Sequence, residues 1–200
     1  TAPVYAELGR VALGQMALFT LINADLIIAP RLLEGDTLAA YGKAAMLGRA
    51  VIFLPLPVVL AMFPRAVVST RRRLLALPML FVALTAAATA SLVAWRPELP
   101  LGLIYGATEA AAPGLARLYV WAAIPLALVE VAVPYLWARD RPWAVAALLV
   151  PATAFLGVLL LLGGQPERII LALAAAGWGI LTIALVLVSR GPLSPSGGLR

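Results

Sequence analysis

The sequence predicts an all-α membrane protein, a bundle of six transmembrane helices, and three observations carry that expectation. Of 200 residues, 64% are hydrophobic and only 12% charged, with a mean hydropathy of +1.02, which leaves too little polar surface to clothe a soluble domain. The apolar residues gather in six runs of about 20, the length that crosses a hydrocarbon core about 30 Å thick at 1.5 Å per residue. None of the runs alternates strictly, and all are far too long for barrel strands.

In chain order the expected spans are 8–29, 40–62, 74–95, 114–137, 142–163 and 168–189. They make one transmembrane unit over residues 1–190, followed by a flexible Pro/Gly/Ser-rich tail over 191–200. The breaks fall at Pro30 to Asp36, Pro64 to Arg73, Arg96 to Gly114, Arg139 to Pro142 and Gly163 to Pro166. Prolines also sit inside the spans, at Pro55, Pro57, Pro78, Pro125, Pro134 and Pro151. Each removes a backbone hydrogen bond and tends to bend its helix, a feature both of membrane helices in general and of the hinges of alternating-access carriers. Gly177 and Gly179 in the last span favour close helix approach.

Orientation follows from the basic residues near the span ends. Nine lie on one side (Arg10, Arg65, Arg71, Arg72, Arg73, Arg139, Arg141, Arg190, Arg200) and five on the other (Arg31, Lys43, Arg96, Arg117, Arg168). The richer side is expected to be cytoplasmic, with both ends of the chain there. The net charge of +6 is thus a topology signal, and no nucleic-acid partner is expected. The Arg71–Arg73 cluster fits contact with anionic membrane lipids. The chain opens at Thr1 without a signal-peptide pattern, which reads as a piece of a longer protein.

Cysteine and histidine are absent, which removes thiolate or imidazole metal sites, haem ligation and histidine acid–base chemistry; no cofactor or metal is expected. What remains is a small set of polar residues inside the spans. An ionised side chain at the bilayer centre costs roughly 2.5–3.5 kcal/mol even on lenient insertion scales, so those that persist face a bundle interior or a wet cavity. Asp25 lies in the last third of the first span, close to Thr20 and Asn23; it reads either as an interhelical hydrogen-bonding acid or as a cavity acid that binds a cation or proton. Arg49 sits on the order of 13 Å into the second span, too deep to snorkel, and needs either a wet lumen or Asp25 as a partner. Lys43, one turn into that span, reads as an interfacial anchor. Glu130 is the deepest acid. Tyr119, Ala123, Glu130, Pro134 and Trp137 fall on one stripe at 3.6 residues per turn, a wall suited to a titrating proton or a ligand, although Tyr119 and Trp137 fit an aromatic belt equally well.

The first hairpin carries a recognisable pattern. Asn23-Ala24-Asp25-Leu26-Ile27-Ile28-Ala29 leads through an acidic turn to Leu38-Ala39-Ala40-Tyr41-Gly42-Lys43-Ala44-Ala45-Met46-Leu47-Gly48-Arg49, and the next helix closes with Met62-Phe63-Pro64-Arg65. Further on, Leu103-Ile104-Tyr105-Gly106 precedes Ala110 and Ala111. This resembles the polysaccharide and lipid-linked oligosaccharide flippases of the multidrug/oligosaccharidyl-lipid/polysaccharide exporter superfamily, and in position the C-terminal six-helix lobe of such a two-lobe transporter. The resemblance implies a non-enzymatic transporter of the cytoplasmic membrane, with a lipid-linked saccharide and a missing N-terminal half as partners. Combined with the depth and spacing of the polar residues inside the spans, this reading expects substrate contacts at Arg49, Asn23 and Tyr119, and ion or proton coupling at Asp25 and Glu130. A cation-coupled drug exporter of the same superfamily, a membrane-embedded lipid-phosphate enzyme and a non-catalytic membrane subunit are the alternatives; the spans carry no D-x-x-D acid pair for the enzyme.

Overall fold

The computed structural model describes residues 2–58, 60–61, 73–106, 109–137, 142–161 and 164–189. All regular structure among them is helical, as lipid demands: only a helix or a closed barrel satisfies backbone N–H and C=O groups where there is no water. Seven helices are described: α1 (Ala2–Leu32), α2 (Gly35–Phe53), α3 (Arg73–Trp95), α4 (Glu98–Tyr105), α5 (Ala112–Trp137), α6 (Pro142–Leu161) and α7 (Pro166–Ser189). Six overlay the expected spans. The seventh, α4, lies in the Arg96–Gly114 stretch expected to be only a break. It forms despite Pro97 and Pro100 because both precede or occupy the first turn, where a backbone N–H has no helical partner to lose.

Among the described residues, four helical stretches are long and apolar enough to cross a membrane: Gly35–Val58, Ala76–Trp95, Ala112–Leu136 and Pro166–Ser189. The chain is therefore multi-pass in character, with four such stretches where six were expected. The Phe63-Pro64-Arg65 end, Arg71, Arg72, the Arg139–Arg141 turn and the tail from 191 lie outside the described residues.

The internal prolines behave unequally. α1 carries Pro30, α3 Pro78, α5 Pro125 and Pro134, and α6 Pro151, all within continuous helix. At Pro55 and Pro57 the helix gives way: α2 ends at Phe53, a turn covers 54–55, and helix resumes at 56. Two prolines two residues apart strip the N–H groups that would reach Val51 and Phe53, and no intact turn bridges the gap.

α5 is the central post. It packs against α2, α3 and α7, while α6 bridges α7 to α1. Apolar residues all round a helix are what such a position requires, and Val120, Ala123, Leu126, Val129 and Val133 on α5 are 0–1% exposed. Small residues let the backbones close. A Cβ on Gly177 of α7 would come within 3.1 Å of Pro125 Cγ, so this glycine sets the α5–α7 distance, whereas Gly179 faces open space and sets none. The outer surface is apolar too, with Phe19, Leu84 and Leu92 all more than 60% exposed, the pattern of a bundle solvated by lipid.

Candidate functional site

The residues singled out in the first two spans converge with one from α5 on a single buried junction. α1 ends at Leu32, the N–H of the next residue, Leu33, reaches Ala29 O at 2.8 Å, and Gly35, at φ +53°, turns the chain into α2. That hairpin brings the last turns of α1 beside the middle of α2. Asp25 is completely buried there. Its Oδ2 accepts hydrogen bonds from the Tyr41 hydroxyl at 2.7 Å and from the Tyr119 hydroxyl, and its Oδ1 forms an ion pair with Arg49 Nη2 at 3.5 Å. Two donors fill both lone pairs of Oδ2. The two tyrosine rings meet edge to face, 5.9 Å between centroids.

Arg49 is equally engaged. Its Nε and Nη2 both donate to Asn23 Oδ1 at 3.3 Å, Nη2 also donates to Ile22 O at 3.1 Å, and Nη1 donates to Ala45 O at 3.4 Å. Asn23 is held in turn by donating from Nδ2 to Phe19 O at 2.8 Å. The guanidinium thus has five acceptor contacts and is only 9% exposed. A charge buried among helices is tolerable only when paired and hydrogen-bonded, and this arrangement does both.

Gly48 explains how Tyr119 reaches Asp25. A Cβ at Gly48 would fall on the Cδ1 edge of the Tyr119 ring, so that edge lies close against the α2 backbone in space that any other residue would fill. Tyr41, Gly48 and Arg49 share one flank of α2, at separations of seven and eight residues. Tyr41 and Gly48 were not singled out by the sequence reading, although their separation of seven residues puts the two on one line of α2.

Glu130 stands apart. It is on the same stripe as Tyr119 but about 16 Å further along α5. It is half-buried, and among the described residues it makes no hydrogen bond or ion pair. Ala123 on that stripe is fully buried and Pro134 half-buried; the side chain of Trp137 lies outside the described set.

Lys43 is more than an interfacial anchor. Its Nζ bridges to Glu109 Oε1 at 2.9 Å and lies 5.5 Å over the Tyr105 ring, tying α2 to the segment before α5. The hydrogen bond from Lys43 holds the Glu109 carboxyl below the usual carboxylate range. Nothing in the sequence marked Glu109 as the partner. The carboxylates do not gather: among the described residues no group of three acidic side chains could hold a metal ion.

Comparison with family models, with curated proteins and with solved structures gives no match. The chemistry of the junction has to speak for the chain.

Proposed function

We propose that this chain is a six-helix lobe of an alternating-access transporter that flips a lipid-linked saccharide across the cytoplasmic membrane. The observation that carries the reading is the convergence of Asn23, Asp25, Tyr41, Arg49 and Tyr119 from three helices onto one buried carboxylate. A bundle needed only for anchorage has no use for an arginine and an aspartate at that depth. Asn23, Asp25, Tyr41 and Arg49 also sit in the stretch that resembles the flippases.

In this reading the junction is the closed arrangement. Arg49 is held by carbonyl, amide and carboxylate oxygens, and the oxygens of an anionic pyrophosphate or acidic sugar are acceptors of the same kind. Substrate exchanges for them as the lobes rock, with Asn23 and Tyr119 released alongside Arg49. Asp25 balances the guanidinium when substrate is absent, and Glu130 is the titratable acid that couples transport to an ion or proton.

A cation-coupled exporter of the same superfamily is the second reading, and Glu130, without a partner among the described residues, favours it. The junction favours the saccharide carrier, because both Asp25 oxygens are occupied by donors and present no open carboxylate to a cation. The test is translocation of a fluorescent polyprenyl-pyrophosphate saccharide by the full native protein in vesicles. Arg49→Lys should lower the rate without abolishing it, since an ammonium keeps the charge but loses the two-pronged grip of guanidinium. No translocation by the unaltered protein, or an unchanged rate in Arg49→Lys, would contradict the proposal.

A further inference from the structure

The end of α3 and the whole of α4 carry a surface that the transport reading does not use. Along α3, Leu77, Leu80, Leu84, Leu92 and Trp95 are each more than half exposed, at spacings of three, four and eight residues that trace one outward stripe. No charged residue occurs between Ala76 and Trp95. Those 20 residues cover about 30 Å, the whole hydrocarbon thickness. Trp95 therefore marks the membrane boundary, and Arg96 stacks 5.6 Å over its ring, the pairing of an aromatic belt with a headgroup-level cation.

α4 starts three residues beyond Trp95 and has eight residues, about 12 Å, too short to cross again. One side holds it to the bundle: Leu101 is fully buried, and Tyr105 lies under Lys43. The other side is bare. Leu99 is 64% exposed, Leu103 89% and Ile104 60%. At 100° per residue these three and Pro100 sweep an arc of about 140° with no polar side chain in it. Gly106, at φ +72°, then turns the chain back towards α5.

We propose that α4 is an interfacial helix, lying along the membrane surface with Leu99, Leu103 and Ile104 sunk into the boundary between headgroups and acyl chains. The occupant is lipid because the bare arc begins at Leu99, four residues after the exposed apolar stripe of α3 ends at Trp95, and α3 is long and apolar enough to cross the hydrocarbon. The hold is hydrophobic, not electrostatic. The ion pairs Lys43–Glu109 and Arg117–Glu98, and the contact of Gly164 with Leu32, place the helix ends together on this side of the bundle. Arg31, Lys43, Arg96, Arg117 and Arg168 there balance Glu34, Asp36, Glu98, Glu109 and Glu167, so anionic lipid gains no net attraction.

The chain has no cysteine of its own, so once any cysteine elsewhere in the full protein is replaced by serine, single nitroxide labels report cleanly. Labels attached at Leu99→Cys, Leu103→Cys and Gly102→Cys, one at a time, go into the full protein in phosphatidylethanolamine–phosphatidylglycerol vesicles. The first two should collide several-fold more often with oxygen than with a water-soluble nickel chelate, at a shallower depth than a label at Leu84→Cys. The Gly102 label should show the reverse preference, and high salt should change neither. Nickel-dominated collisions at both Leu99 and Leu103 would place the arc in water and overturn the proposal. Immobilised labels shielded from both reagents would overturn it too, by showing a protein partner on the arc instead of lipid.

Discussion

Asp25 lies wholly buried with donors on both of its oxygens, whereas Glu130, half-buried on α5, meets no donor among the described residues. Both are carboxylates within apolar helices, and depth alone would rank Glu130 as the more anomalous. The difference between them is supply: two helices, α2 and α5, deliver two hydroxyls and a guanidinium to Asp25 on α1, and none of the described helices delivers a partner to Glu130. A saturated carboxylate holds helices together and moves only when its partners move. An unsaturated one is free to take up a proton or a cation. Under the proposed transport function the two acids divide the work, one as a lock and one as a coupling group.

The largest expected break in this contrast is Arg49→Ala. It leaves the Asp25 carboxylate buried without its counter-charge, and losing one partner of a buried pair costs about 3–5 kcal/mol. Membrane abundance and thermal stability in detergent should both fall sharply. Unchanged stability would mean that the junction is not closed as described.

Next is Gly48→Ala. The added methyl meets the Tyr119 ring, which must leave Asp25, so the variant should lose about 1.5–3 kcal/mol, the worth of a hydrogen bond to a charged group, with any overpacking strain added. Tyr119→Phe should cost a similar amount alone but little on top of Gly48→Ala, because the bond is already broken. A thermal-stability double-mutant cycle measures this, and additive losses would show that Gly48 does not seat the ring.

Glu130→Gln is expected to change stability by less than about 0.5 kcal/mol, since no contact is lost. It should instead flatten the pH dependence of translocation. A large stability loss would place Glu130 in a junction of its own.

The smallest effect concerns Lys43 and Glu109. A carboxyl whose folded pKa is depressed contributes stability above its ordinary pKa and loses it as the pH falls through the lower folded value. Amide exchange at the start of α2 should therefore quicken below about pH 4, and Lys43→Met should remove that step.

The helices were legible because membrane spans are written in length and apolarity, which need no tertiary information; six long helices overlap the expected spans, although α1 begins six residues before its expected start and α2 ends nine residues before its expected end, at the Pro55–Pro57 break. α4 was missed because eight residues with Pro97 before them and Pro100 among them show no periodicity long enough to read. The depth of Asp25 and Arg49 marked them as needing partners, and pairing with each other was one of two readings. Which face of α5 would meet them depends on helix packing, so Tyr119 as a donor, Tyr41 beside it and the close approach at Gly48 were not derivable from spacing alone. The bridge from Lys43 to Glu109 joins residues 66 apart in sequence and left no local signal.

The most direct test of Arg49 as the group that leaves the lock for the substrate headgroup is the double variant Arg49→Ala, Asp25→Asn, with membrane abundance and saccharide translocation measured together. Removing both charges lifts the penalty of an orphaned carboxylate, so abundance should return close to that of the unaltered protein while translocation stays at background. Translocation that recovers along with abundance would show that the pair only holds the helices together, and would contradict the account.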